Sequence, residues 1–323
     1  MKNKLFQFLL ILFLIPLNIY AIPKKVIVGG ETIGIEVYSD GIYVVGFYEV
    51  NNKMIGKDAG FKVGDIIKEI NNVKINNISD INNLIKESNT YDFKIIRNYK
   101  EKDISFKLEE KNNIIKTGLY VKNKIDGIGT LSYINPETKT FASLGHEILE
   151  SNSMSKFIIN SGNIYKAEVT NIKKSEERIP GEKQANINFA ETIGTIYKNE
   201  INGIYGKYNG KINENNTIDV GKKEEIKQGE AIIRTVVNNE TKEDFSINIL
   251  TVDENDPVKN ILFEITDSKL LDKTNGIIQG MSGSPIIQNN KIIGVVNYVV
   301  LDNPKRGYGI FIENMLQEEE KNK

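Results

Sequence analysis

Ser282 has the setting that a nucleophilic serine needs for acyl transfer. It lies in Gly280-Met281-Ser282-Gly283-Ser284-Pro285, between two short isoleucine runs that are typical of strands. Glycine lets the backbone turn tightly, so that nearby N–H groups can point at a developing oxyanion. A Gly/Ser-rich hairpin without chemistry is the alternative, and the loop alone does not decide between the two.

His146 is the only histidine in the chain, in Ser143-Leu144-Gly145-His146-Glu147-Ile148. An imidazole changes charge near neutral pH and is the usual base for a serine hydroxyl. A lone histidine is more often structural than catalytic, but this one follows a glycine and lies upstream of a serine loop. Together, Ser282 and His146 predict a nucleophile and its base, with Ser284 as the competing nucleophile.

The chain resembles the stage IV sporulation protein B peptidases, a family of serine peptidases related to the chymotrypsin-like group. The resemblance extends from about residue 26 to residue 315. The matching stretches are Gly127-Ile128-Gly129-Thr130-Leu131, Leu144-Gly145-His146, Ala167-Glu168-Val169-Thr170 with Ile172-Lys173-Lys174, Pro180-Gly181-Glu182, Gly194-Thr195-Ile196, Thr266-Asp267 and Gln279-Gly280-Met281-Ser282-Gly283-Ser284-Pro285-Ile286-Ile287.

The resemblance implies a catalytic triad of Ser282, His146 and Asp267. It makes Ser284 a turn residue and the N–H groups of Gly280 and Ser282 the oxyanion donors. These roles follow from the resemblance and not from spacing alone.

The orienting acid has several candidates. Asp267 lies fifteen residues before Ser282, but an Asp before a short helix also serves as a cap. A Ser–His dyad without an acid stays open as well. The family often has an Asp four residues after the histidine, where this chain has Glu150, and that departure affects the loop beside the base. The other candidate acids are Asp126, Asp219, Asp253 and Asp256.

Composition excludes several functions. The 323 residues include 42 Lys and Arg and 43 Asp and Glu, mixed along the chain, for a net charge of −1. This balance argues against nucleic acid as a partner. With no cysteine and one histidine, we expect no disulfide, no zinc site and no cofactor.

Residues 1–21 have the pattern of a leader. Lys2 and Lys4 precede the apolar run Leu5–Leu17, and Tyr20-Ala21 offers a small-residue exit. The pattern predicts a signal peptide or an uncleaved signal anchor, although the run is short for a span of about 20 residues. Either form predicts an exported protein.

Residues 26–110 resemble a PDZ domain, chiefly through Ala59-Gly60-Phe61-Lys62-Val63-Gly64-Asp65-Ile66-Ile67. A PDZ domain leaves a sheet edge open, to which an extended peptide adds as a strand. We expect Leu84, on a short helix, to wall a side-chain pocket. The ligand is a peptide or the chain's own N-terminal segment, and the alternative is a small domain that only packs on the peptidase. The residues expected to meet a peptide's terminal carboxylate are Thr32, Ile33, Gly34 and Ile35.

After a linker at 111–117, short β-branched runs recur through residues 118–316, which favours a sandwich or barrels. Residues 317–323 are predicted as a charged tail. The predicted fold is mainly β, with an N-terminal PDZ-like α+β domain. The resemblance makes the second domain a chymotrypsin-like double β-barrel.

The resemblance implies an exported serine endopeptidase of endospore formation that processes itself. Such enzymes act in the forespore intermembrane space and cut a membrane-associated regulator. The cut releases an intramembrane protease that activates a late sigma factor. The domain order is the reverse of HtrA-type proteases, which place the peptidase first. The alternative is a non-catalytic peptide-binding adaptor on an inactive scaffold, and the presence of Ser282, His146 and Asp267 argues against it.

Overall fold

The computed structural model describes residues 22–108, 110–111, 114–213 and 216–321. The leader predicted at residues 1–21 lies outside the described residues. Among the helices that are described, none is long and apolar enough to cross a membrane.

The chain is mainly β, as predicted. Its strands are β1 Lys25–Val28, β2 Thr32–Phe47, β3 Ile66–Ile70, β4 Val73–Lys74, β5 Thr90–Arg97, β6 Lys100–Lys107, β7 Glu110–Lys111, β8 Ile114–Ile115, β9 Leu119–Ile134, β10 Thr140–Ser143, β11 Leu149–Glu150, β12 Ser155–Lys156, β13 Ile159–Lys173, β14 Gly181–Glu200, β15 Gly203–Tyr208, β16 Thr217–Val220, β17 Gly229–Val236, β18 Lys242–Val252, β19 Ile261–Ile265, β20 Ile278–Gln279, β21 Pro285–Gln288, β22 Lys291–Val299 and β23 Arg306–Phe311. The helices are α1 Ile55–Asp58, α2 Ile78–Leu84, α3 Ser268–Thr274 and α4 Ile312–Glu320, with a 3₁₀ turn at Lys223–Glu225.

Six antiparallel strands close a first barrel in the order β9, β2, β13, β14, β15, β10 and back to β9. Its interior is filled by aliphatic and aromatic side chains, among them Ile33, Leu131, Phe141 and Ile164. Closure of the ring satisfies both edges of each strand, so this sheet needs no separate edge protection.

A second ring runs β17, β18, β19, β23, β22, β21 and back to β17, again antiparallel. Its separate core includes Ile233, Phe245, Phe263, Ile286 and Val296. Buried and exposed residues alternate along most of β18, as expected for a strand with one face in a barrel.

The small domain begins later in the chain than the sequence predicts. Strand β2 passes from the first barrel into this domain, with a register shift between Tyr38 and Tyr43. The domain's own core contains residues from Ile42 to Leu119. The sequence assigns residues 26–38 to the PDZ-like domain, but residues 32–38 lie in β2 of the first barrel and pair with β9 and β13, while residues 26–28 lie in β1, which pairs with β9 and β16.

The peptide groove predicted at Thr32, Ile33, Gly34 and Ile35 is wrong. Gly34 pairs with Ile128 of β9 on one side and with Tyr165 of β13 on the other. A strand paired on both sides offers no free edge to a peptide. Leu84 is half-buried and packs on the small-domain core.

Two further boundaries also differ from the prediction. Within the linker predicted at 111–117, β8 pairs with β7. Residues 317–320 are not a tail but the last turn of α4. Glu319, only 3% exposed, accepts hydrogen bonds from Tyr133, Asn135 and Thr138 of the first barrel, and these bonds anchor the turn.

Candidate active site

The serine loop, Gly280–Ser284, connects β20 to β21. Its two glycines adopt φ of +91° and +93°, a region that favours glycine. A Cβ on Gly283 would lie 2.2 Å from the Thr130 carbonyl oxygen and 2.6 Å from the Leu144 nitrogen. The serine loop therefore presses against both β9 and the segment that carries His146.

Backbone carbonyls of the serine loop accept hydrogen bonds from β9 and from the loop itself. The Thr130 hydroxyl donates to the Gly280 carbonyl at 2.7 Å, and the Thr130 N–H donates to the Ser282 carbonyl at 3.0 Å. The Ser284 N–H donates to the Met281 carbonyl at 2.9 Å. Within the described residues, the N–H groups of Gly280 and Ser282 have no acceptor, which is the condition an oxyanion site requires.

The two serines of the loop have different surroundings. Ser282 is partly exposed and lines a cleft, and its hydroxyl donates to the Asn297 carbonyl at 3.3 Å. Ser284 is fully buried, and its hydroxyl faces that of Thr130 at 3.5 Å. Only Ser282 is placed to meet a substrate.

The histidine loop, Leu144–Ile148, begins with two residues in the left-handed region. Leu144 has φ of 72° and Gly145 has φ of 69°. A leucine rarely adopts this conformation, and its buried side chain in the first-barrel core holds it there. A Cβ on Gly145 would lie 2.8 Å from Val295 of the second barrel. The turn thus carries His146 from one barrel to the face of the other.

The imidazole of His146 is held by its neighbour's backbone. Its Nδ1 lies 2.8 Å from the Glu147 carbonyl oxygen. A carbonyl only accepts, so the proton of the neutral ring is assigned to Nδ1 and Nε2 is left able to accept a proton. Burial lowers the pKa of His146 from its ordinary value of 6.5, and the bond to Glu147 opposes this in part. The proton-accepting form therefore predominates at neutral pH.

His146 and Ser282 line the same cleft, whose volume is about 560 Å³. Most of the other lining side chains are apolar, among them Ile128, Ile148 and Ile277, and Glu147 is the one charged residue among the described lining residues. In the described structure, the Ser282 hydroxyl bonds to Asn297 and not to the imidazole. Catalytic contacts are often looser before a substrate binds.

Asp267 is not among the residues that line this cleft. It is the N-cap of α3, and its carboxylate accepts the Leu270 N–H at 2.9 Å and the Ser246 N–H at 3.4 Å. In the structure, Asp267 is therefore a helix cap. The Glu147 carbonyl bonds Nδ1 of His146, at the position expected for the carboxylate of the triad.

The other candidate acids are also engaged away from the cleft. Asp126 pairs with Lys124, Asp219 pairs with Lys25, and Asp253 and Asp256 accept backbone N–H groups. Glu150 closes the turn after the histidine loop by accepting from Ser153. Among the described residues, no cluster of acids or histidine is placed to hold a metal ion.

Lys183 is a residue of the site that the sequence did not reveal. It follows Pro180-Gly181-Glu182 on β14 and is 4% exposed. A Cβ on Gly280 would lie 3.1 Å from its side chain, so it lies directly behind the serine loop. Lysine is normally a surface residue. The only sequence signal for the burial of Lys183 is its inward position in the alternating pattern of the strand.

Two closed antiparallel barrels, with a serine and a histidine facing one cleft, define a serine peptidase. The family model for SpoIVB peptidase S55 matches residues 113–316, and the chain belongs to this family.

Solved structures of the Rv3671c protease are also similar. The inactive form is 14% identical, with 60% of this chain and 83% of that chain covered and a TM-score of 0.35. The active form, from M. tuberculosis, is 13% identical, with 60% and 72% covered and a TM-score of 0.33. No curated protein gives a significant match to the chain.

Proposed function

We propose that the chain is an exported serine endopeptidase in which Ser282 is the nucleophile and His146 the base. One observation supports this most strongly. Both residues line a single cleft, beside the two N–H groups of the serine loop that lack acceptors. Those N–H groups, of Gly280 and Ser282, are proposed to bind the oxyanion.

The proposed reaction begins when the Ser282 hydroxyl leaves the Asn297 carbonyl and attacks the scissile carbonyl carbon. Its proton passes to Nε2 of His146, and the carbonyl oxygen becomes the oxyanion. Collapse of this intermediate breaks the C–N bond, and His146 returns the proton to the leaving amine. Water then hydrolyses the acyl-enzyme with the same base. In this scheme the Glu147 carbonyl stabilises the imidazolium at Nδ1, in place of a carboxylate.

The character of the cleft supports a substrate class. Its lining is mostly isoleucine, leucine and valine, so uncharged apolar side chains are the proposed occupants beside the scissile bond.

The family name and the resemblance support a finer physiological proposal. The enzyme is proposed to act in sporulation signalling, to process itself, and to cut a membrane-associated regulator of an intramembrane protease. The place of action is proposed to be the forespore intermembrane space. The small domain is proposed to be a PDZ-like module that recognises the protein substrate, on the strength of the stretch 59–67 and its separate core.

Labelling with a fluorophosphonate, followed by mass-spectrometric mapping, tests the peptidase proposal. We expect the label on Ser282, its loss in Ser282→Ala, and its retention in Ser284→Ala, which serves as the matched control. An unlabelled parent protein, or equal labelling of Ser282→Ala, would instead support the non-catalytic adaptor.

A further inference from the structure

A polar cluster lies where the two barrels meet behind the serine loop. The Lys183 Nζ donates to the hydroxyls of Thr235 at 2.9 Å, Thr32 at 3.2 Å and Thr130 at 3.4 Å. Thr32 and Thr130 belong to the first barrel and Thr235 to the second. All four side chains belong to residues that are at least nine-tenths buried.

Among the described residues, the hydrogen-bond partners of the Lys183 ammonium are all hydroxyls. Burial alone lowers its pKa, to about 7. The charged groups on the packed elements bond elsewhere or are partly or fully exposed: Glu31 bonds to Lys242, Glu36 and Asp126 bond to Lys124, Arg234 bonds to Asp244, Glu182 is partly exposed and Glu230 is exposed. The serine loop itself carries no charged side chain. A buried cation without a counter-charge is costly, which argues for a role beyond packing.

Thr130 connects this cation to the serine loop. Its single hydroxyl proton is donated to the Gly280 carbonyl at 2.7 Å, while its oxygen faces Lys183. An ammonium can only donate, so it requires Thr130 to accept and directs the hydroxyl proton to Gly280. A neutral amine has a lone pair that can accept a hydrogen bond from the Thr130 hydroxyl. The hydroxyl would then no longer donate to the Gly280 carbonyl.

We propose that Lys183 is a positioning residue whose ammonium, through the Thr130 hydroxyl, holds the Gly280 carbonyl and thereby the oxyanion-binding N–H groups of the serine loop. The proposal rests on the proposed role of Ser282 as the nucleophile. A cation in this dry site also favours the negative charge of the oxyanion.

A pH dependence follows from the direction of each protonation. The active enzyme needs a neutral His146 and a charged Lys183. Activity therefore falls on the acid side as pH drops through the lowered pKa of His146, where the imidazole gains a proton, and on the alkaline side as pH rises through about 7, where the ammonium loses one. The fall in activity on the alkaline side, the alkaline limb of the pH profile, is thus assigned to deprotonation of Lys183.

The test measures the rate of fluorophosphonate labelling of Ser282 between pH 5.5 and 9. At each pH the probe concentration is varied, which gives a limiting rate constant and a half-saturating probe concentration. We expect Thr130→Val to lower the limiting rate by about 10- to 100-fold, with half-saturation unchanged and the alkaline limb lost. Thr130→Ser keeps the hydroxyl and should retain both rate and limb. Lys183→Met should match Thr130→Val, and the double variant should be no slower than either.

The matched control is Thr235→Val, which removes a contact of Lys183 but none of the serine loop. At about pH 6, where the ammonium stays charged with one partner fewer, its limiting rate should stay within about threefold of the parent's. Circular dichroism confirms folding, and if Lys183→Met does not fold, the Thr130 pair decides.

Parental kinetics in Thr130→Val, or a double-variant loss equal to the product of the single losses, would overturn the positioning role while Ser282 remained the labelled nucleophile. An unlabelled parent would overturn the peptidase proposal and this one together.

Discussion

The serine loop and the histidine loop meet in one cleft but are held by different means. The serine loop uses two glycines at positive φ and hydrogen bonds from β9, with Lys183 behind it. The histidine loop uses a leucine in the left-handed region, fixed by apolar packing, and one carbonyl that bonds the imidazole.

Because of this difference, the buried charge of the site lies behind the serine loop and not behind the histidine. A catalytic triad has its buried charge behind the histidine, where it orients the ring. Here the buried charge lies behind the serine loop, and the ring is oriented by a neutral carbonyl. Substitutions that change the backbone of the serine loop or the protonation of Lys183 should therefore change the labelling rate of Ser282. Substitutions of Asp267 should hardly change it.

The largest expected effect comes from the contact between the loops. Gly283→Ala places a Cβ 2.2 Å from the Thr130 carbonyl oxygen, where backbone on both sides prevents relief. We expect a loss of at least about 100-fold in labelling rate and a fall of about 3 kcal/mol in the free energy of unfolding.

Gly229→Ala is the control for this prediction. Gly229 has φ of +116°, but a Cβ there meets nothing within 4 Å. It should show only the conformational cost, about 1–2 kcal/mol in urea unfolding, with parental labelling. Equal losses in both variants would mean that positive φ, and not the contact between loops, is what matters.

A second prediction concerns how stability depends on pH. The folded pKa of Lys183 is about 7, below its ordinary 10.5, so the unfolded chain binds an extra proton between these values. The parent should therefore gain stability over Lys183→Met as pH rises from 7 to 10, by about 1.4 kcal/mol per pH unit.

Lys124 provides the contrast for that measurement. Its ammonium bonds to Glu36, which raises its pKa, so its stabilising contribution changes only above pH 10.5. Lys124→Met should show no such trend between pH 7 and 10 in denaturation curves. A flat difference for Lys183→Met as well would refute the charge state assigned to the buried lysine.

The smallest expected effects are at Asp267. As a helix cap it should tolerate Asn, while Ala should cost about 1 kcal/mol, with labelling of Ser282 within a few-fold of the parent in both variants. An acid that orients the imidazole would instead lose about 10⁴-fold with Asn. Thermal unfolding and labelling rates distinguish the two roles, and a large rate loss in a stable Asp267→Asn would restore the triad.

The sequence was sufficient for features that depend on local chemistry. Glycines around Ser282 predicted the tight loop, and the recurring β-branched runs predicted a mainly β chain. It could not place Thr32–Ile35, because a glycine-bearing strand looks the same at an open edge and inside a barrel. Nor could it find Lys183, since burial of a lysine depends on threonines more than 50 residues away along the chain. The choice between cap and catalytic acid for Asp267 likewise needed tertiary structure.

The long strands β2 and β9 have a mechanical consequence. They run side by side from the small domain into the first barrel, paired from Phe47 and Leu119 at one end to Thr32 and Thr130 at the other. Two register shifts interrupt the ribbon, between Tyr38 and Tyr43 and between Val44 and Gly46, and at the first the Ser39 hydroxyl donates to the Asn123 carbonyl across it. The domains are thus joined by a stiff two-stranded ribbon and not only by a flexible tether. Torque applied to the small domain would reach Thr32 and Thr130, whose hydroxyls accept hydrogen bonds from Lys183.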